Sequence, residues 1–221
     1  MDLGRVFIEV NPLLLEGLKM TLAVTVLSLI FAFALGLCSC FFDMSKKAIL
    51  RWISRIYVGL IRGTPLLVQV IYVYFAIPQL LQFMGMDVRM NPFTAGLITL
   101  TLNAGAYMSE IFRGAINAVN PGQMEAARSL GLSQAQAMRR VVLPQAFRIC
   151  LPSLVNQFII TLKDSSLISV IGFADIMYQA KIYQGRTMES FATYTWVGIY
   201  YLVLIIALTY VAKIVERKVQ I

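Results

Sequence analysis

Met20–Phe42 reads MTLAVTVLSLIFAFALGLCSCFF, a run with no Asp, Glu, Lys or Arg. A helix needs roughly 20 apolar residues to cross roughly 30 Å of hydrocarbon, and this run is long enough. Four further stretches follow: Gly63–Met86, Met90–Ser109, Ile149–Ala174 (interrupted once, at Lys163–Asp164) and Ser190–Ala212. Lipid satisfies no backbone hydrogen bond, so each stretch is expected to be helical. The expected fold is an all-α membrane protein with about five transmembrane helices. They fall near residues 18–42, 56–84, 90–116, 149–174 and 190–213, in a single domain over 1–221.

Composition agrees. Of the 221 residues, 59% are hydrophobic and 14% charged, against about half and a quarter in a soluble domain. No amphipathic period divides the runs into an inner and an outer face, which argues against a soluble helical core. Asp2, Arg5 and Glu9 precede a first run too long for a signal-peptide core, so the first helix is expected to stay.

The net charge is +8, and its placement orients the chain. Lys46, Lys47, Arg51, Arg55, Arg113, Arg128, Arg139, Arg140, Arg148, Lys213, Arg217 and Lys218 fall on one side; Arg5, Lys19, Arg89, Lys181 and Arg186 fall on the other. By the positive-inside rule the N-terminus is outside and the C-terminus cytoplasmic. The positive charge reads as membrane orientation, and no nucleic-acid partner is expected.

The sequence also lacks the parts of several machines. It has no His, and Cys38 and Cys40 lie in an apolar helix, where they read as small buried side chains; no metal site is expected. There is no phosphate-binding G-x-x-x-x-G-K-[ST] loop and no Ser–His–Asp or Cys–His set. The chain is therefore not expected to be an enzyme. Five helices without an internal repeat are few for a solitary secondary transporter, so a second subunit is expected to complete any solute path.

Residues 117–148 form a long loop on the basic side, between the third and fourth helices. Pro121 suits the start of one short helix, Gly131 its end, and Ser133 the cap of a second. Ala126, Ala127, Leu130, Ala137, Met138 and Val141 recur at helical spacing and predict one apolar face. The pattern fits anionic lipid and a protein partner equally well.

The spacing Glu125-Ala126-Ala127, three residues, Gly131, nine residues, Val141, one residue, Leu143-Pro144 resembles the EAA motif of bacterial ABC importer permeases. Val141 stands where that pattern more often has Ile. The resemblance implies a type I importer transmembrane domain in the bacterial inner membrane. Its cytoplasmic coupling helix would dock an ABC ATPase through Glu125, Ala126, Ala127 and Gly131. It also implies ATP and magnesium in that partner, no cofactor in this chain, a second permease subunit (a homodimer favoured) and an extracytoplasmic amino-acid-binding protein. Membrane lipid surrounds the whole.

Three more segments resemble the polar amino acid permeases, the branch serving glutamine, glutamate, histidine, basic amino acids and cystine. They are Arg62–Gln69, Asn103 to Glu110, and Lys163–Leu167. Pro12–Gly17 and Asn91–Ala95 are most similar to the glutamine-transporting members. The implied function is ATP-driven uptake of a polar amino acid, glutamine first, with glutamate, basic amino acids or cystine as alternatives. The rival reading is an ATP-independent secondary transporter or channel subunit.

Candidate path residues follow from physics as well. Lys163 lies fourteen residues after Ile149, about 21 Å at 1.5 Å per residue, and charge at that depth faces a polar path or a partner. Lys163, Asp164, Ser165 and Ser166 are read as a site for a zwitterion, or as half of a structural pair, for example Lys163 with Glu110. Asn103, Tyr107, Glu110 and Gly114 share one helix face, which lines the path or holds helices together. Arg62 either snorkels or lines the path, and Gly63 and Pro65 suggest a broken helix beside Thr64 and Gln69.

Overall fold

The computed structural model describes residues 2–219; Met1, Gln220 and Ile221 of the expected 1–221 domain lie outside the described residues. Among them every regular element is helical. α1 (Leu3–Asp43) is capped by Asp2, whose carboxylate accepts the Gly4 and Arg5 N–H groups. It runs 41 residues through Pro12, about 60 Å at 1.5 Å per residue. It therefore extends well past the apolar run that marks its membrane span.

α2 (Ala48–Arg62) and α3 (Leu66–Phe83) replace the single helix expected at 56–84. Pro65 lacks an N–H and disfavours the helical region for Thr64, so the helix stops and restarts there. α3 carries one wide π turn, Tyr72–Ala76, just before Pro78. α4 (Pro92–Ala118) starts on an Asn91 cap that accepts the Thr94 N–H at 2.8 Å.

α5 (Pro121–Ser129) is the short helix of the basic loop. The second short helix expected there runs on instead. From Gln134 the chain stays helical through a π turn at Met138–Val142 into Leu143–Asp164; residues 134–164 are α6. The wide turn precedes Pro144, which has no N–H to give the ladder. A tight 3₁₀ stretch, Ser165–Ile171, ends the span at Gly172, followed by α7 (Ile176–Thr187) and α8 (Ser190–Val219).

Among the described residues, four helical stretches are long and apolar enough to cross a membrane: Leu3–Asp43, Leu66–Phe83, Gln134–Ile171 and Ser190–Ile214. α4, the fifth long helix, falls short of that hydropathy and is the centre of the bundle. α1, α2, α3 and α6 all pack on it. Leu29, Ala32 and Cys40 of α1 meet Ala104, Met108 and Phe112 of α4, with Val142, Ala146 and Cys150 of α6 completing that core. Ile30, Phe31, Leu202, Val203 and Ile206 face outward instead, as an apolar solvent permits.

Candidate functional site

The break between α2 and α3 frees carbonyl groups that the helix would otherwise use. Gln69 takes them up. Its amide Nε2 donates to the Ile61 carbonyl at 2.7 Å, and lies 3.0 Å from both the Thr64 carbonyl and the Thr64 hydroxyl. Its Oε1 accepts from Asn103 Nδ2 at 3.0 Å, tying the break to α4. Thr64 itself donates to the Leu60 carbonyl at 2.8 Å. Gln69 and Asn103 are buried.

On the N-terminal side of the break, Arg62 reaches the same helix. It pairs with Glu110 at 3.4 Å, and its guanidinium lies 5.3 Å from the centre of the Tyr107 ring. Asn103, Tyr107 and Glu110, the stripe on α4, therefore clasp the break from both sides. Glu110 is also held by Arg113, which approaches Asp43 at 3.8 Å; Asp43 in turn pairs with Arg55 at 2.8 Å. Asp43 and Arg113 were not singled out from the sequence, though the i, i+3 spacing of Glu110 and Arg113 is a legible ion-pair signal.

The second interruption is of another kind. Its serines close on their own backbone: Ser165 donates to the Leu162 carbonyl, Ser166 to Lys163 and Ser169 to Ser166, each at 2.7 Å. Lys163 is exposed and makes no ion pair among the described residues; Asp164 is half-buried. The pair of Lys163 with Glu110 is not formed, because two arginines already hold Glu110. Val70 of α3, Leu100 of α4 and Ile168 of the 3₁₀ stretch share one buried cluster, so the two interruptions lie side by side.

In the loop, Asn120 caps α5 by accepting the Gly122 N–H at 2.8 Å. The helix ends in a Schellman turn: Leu132 N–H reaches the Ala127 carbonyl at 3.2 Å and Gly131 N–H the Arg128 carbonyl at 3.0 Å. Gly131 has φ +86°, with nothing within 4 Å of where a Cβ would stand. The expected single apolar face is not formed: Ala126 and Leu130, one turn apart on the same side of α5, are both exposed, Leu130 at 85%. Ala127 and Ala137 are buried, while Glu125, Ala126 and Gly131 lie on the surface. Ser133 and Gln136 form a reciprocal capping box that starts α6.

Comparison with known proteins places this architecture. Residues 26–221 match the family described as binding-protein-dependent transport system inner membrane component. The glutamine transport system permease protein GlnP of Escherichia coli (strain K12) is 38% identical over 210 residues, covering 95% of this chain and 94% of the relative. The arginine transport system permease protein ArtQ of Bacillus subtilis (strain 168) is 39% identical over 209 residues, covering 95% and 93%. The crystal structure of an amino acid ABC transporter with histidines superposes with a TM-score of 0.91 at 41% identity over 99% of both chains. The MetNI methionine transporter matches at TM-score 0.77 and 20% identity, over 94% and 96%, and shares the fold. The chain thus belongs to the binding-protein-dependent transport system inner membrane components, as an ABC importer permease of the amino-acid type.

Proposed function

We propose that this permease imports a polar amino acid, glutamine first, with energy from a separate ATPase subunit that docks on α5. The observation that carries the reading is the pairing of an exposed, small-residue loop at one end with an intramembrane cation left unpaired among the described residues. Glu125, Ala126, Leu130 and Gly131 form the free surface of the loop. Lys163 and Asp164 sit where α6 gives way to the 3₁₀ stretch. A zwitterion needs a donor for its carboxylate and an acceptor for its ammonium group, and those two side chains offer both. ATP and magnesium belong to the partner, and the α5 end faces the cytoplasm.

Two permease subunits, a homodimer in the simplest case, enclose the path. An extracytoplasmic binding protein loads the far end, where the N-terminus lies. Rigid-body motion of α5 would carry ATPase closure to α4 and α6, and alternating access would expose the Lys163 region first to one side and then to the other.

Reconstituted vesicles containing the permease, its ATPase and its binding protein test this. Labelled glutamine uptake should require ATP, and unlabelled glutamine should compete better than glutamate, arginine or cystine. Uptake driven by an ion gradient without the ATPase would overturn the reading. Gly131→Arg strains the φ +86° turn by about 1–2 kcal/mol without meeting a neighbour, and should abolish ATP-driven uptake, whereas Gly131→Ala, equally strained but small, should retain it. Wild-type uptake in Gly131→Arg would remove the docking role.

A further inference from the structure

Between α1 and α6 the bundle surface is cut by an apolar groove whose floor is α4. At the loop end it is a cavity of about 280 Å³, lined by Leu37 and Phe41 of α1, Ile116 of α4, and Leu143, Ala146 and Phe147 of α6. Phe33 joins it to a second cavity of about 390 Å³ that reaches Val26 and Phe158. Among the described residues no charged, amide or hydroxyl side chain lines either one. Phe41 and Phe147 stand half exposed at its edge. α2 does not cover it: Ser54 holds α1 at Ser39, about 200° around the helix from Leu37. From Leu143 to Phe158 the groove follows α6 for about 22 Å at 1.5 Å per residue. One leaflet of a ~30 Å hydrocarbon core is about 15 Å deep, so the groove is long enough to take an acyl chain lengthwise.

The groove alone selects nothing, because lipid tails are as apolar as its lining. Its edge does. Arg139 stands one turn before Leu143, Arg140 two turns before Phe147, and Arg148 directly after Phe147. All three are exposed, and none makes an ion pair among the described residues. The acidic side chains of the bordering helices are already matched at this end. Asp43 of α1 is held by Arg55 and approached by Arg113, and Glu110 of α4 by Arg62 and Arg113. α6 has no acidic residue before Asp164. Long arginine stems lie along apolar surface while the guanidinium reaches the membrane boundary, and its planar fork fits a phosphate. A second copy seated here about a two-fold axis would set arginine against arginine, since such an interface pairs a patch with itself.

We propose that the groove between α1 and α6 binds one anionic phospholipid from the leaflet on the loop side, an acyl chain along Phe41 and Phe33 and its phosphate among Arg139, Arg140 and Arg148. The site touches both roots of the α5 loop. Ile116 lies in the last turn of α4, and Leu143 follows the wide turn at Met138–Val142. The bound lipid therefore packs against the joint between the loop and the bundle.

Native mass spectrometry of the assembled full-length transporter, released from detergent containing phosphatidylglycerol and phosphatidylcholine in equal amounts, reads the lipid retained. Phosphatidylglycerol should be held at least ~10-fold over phosphatidylcholine, because each arginine near a membrane surface favours an anionic lipid roughly fivefold. Replacing Arg139, Arg140 and Arg148 together by Gln should bring that ratio to within about twofold. Arg128→Gln, at an equally exposed arginine of α5 that does not line the groove, should leave it unchanged. Inorganic phosphate should not displace the lipid, since it has no chain to fill the groove. Equal retention of the two lipids overturns the site, as does a preference that survives the triple replacement or falls as far with Arg128→Gln. Displacement by inorganic phosphate makes it a phosphate site instead. A disulfide between two copies through Phe147→Cys would show the groove closed by a second subunit, and overturns it as well.

Discussion

α3 begins at a broken stretch and α6 ends at one, and both place polar side chains at membrane depth. At residues 62–69 the polar side chains brace one another: Gln69 collects the carbonyls of Ile61 and Thr64, Asn103 holds Gln69, and Glu110 holds Arg62. At Lys163–Ser166 the serines satisfy only the local backbone, and the lysine is left exposed. The difference lies in reach. A glutamine carboxamide set five residues past the break folds back over it and braces it. A serine reaches only its own turn, so the lysine beside it keeps its capacity for a ligand. On the proposed function, the braced interruption would shape the wall of the solute path and the unbraced one would meet the solute.

Gln69→Leu should break the first half of that comparison with the largest effect. It leaves the Ile61 and Thr64 carbonyls and the Asn103 amide without their partner, at about 1–3 kcal/mol for each group that stays buried. Loss of at least ~2 kcal/mol in chemical unfolding in detergent is expected, with poor yield of assembled transporter. Unchanged stability would show that the brace is replaceable by water.

Lys163→Ala should do the reverse. No partner is orphaned, so stability should hold within about 0.5 kcal/mol. Uptake should fall on the order of tenfold, the loss of one charge-assisted hydrogen bond of about 1.5 kcal/mol. Asp164→Asn should act in the same direction, and the two together should fall short of the sum, since both would act on one zwitterion. A destabilised but fully active Lys163→Ala would exchange the roles assigned to the two interruptions.

Much of this was legible in the sequence, for identifiable reasons. Charge-free runs mark membrane helices because lipid tolerates little else, and Pro65 and Pro144 mark departures from regular helix because they lack an N–H. α4, the centre of the bundle, still reads as a span, since its charges cluster at Glu110 and Arg113. Other features depend on long-range geometry that no local pattern carries. Ala126 and Leu130 keep helical spacing, the Leu130 N–H reaching the Ala126 carbonyl at 3.1 Å, but their shared face points away from the bundle while Ala127 points in, a choice no local pattern records. Asp43 and Arg113 are seventy residues apart in the chain and meet only because α1 and α4 end together.

Arg62→Ala supplies the smallest and most discriminating test. Arg62 stands at the braced break, yet its side chain is 42% exposed and Glu110 keeps Arg113 when it is gone. An exposed ion pair contributes about 0–1 kcal/mol, and its approach to Tyr107 adds little more at such a site. Stability should therefore fall by under ~1 kcal/mol, far less than in Gln69→Leu at the same break. If Arg62 serves only the brace, uptake should track that small loss. If uptake falls as far as in Lys163→Ala while the melting temperature holds, Arg62 faces the solute as well, and the braced interruption contributes a ligand of its own.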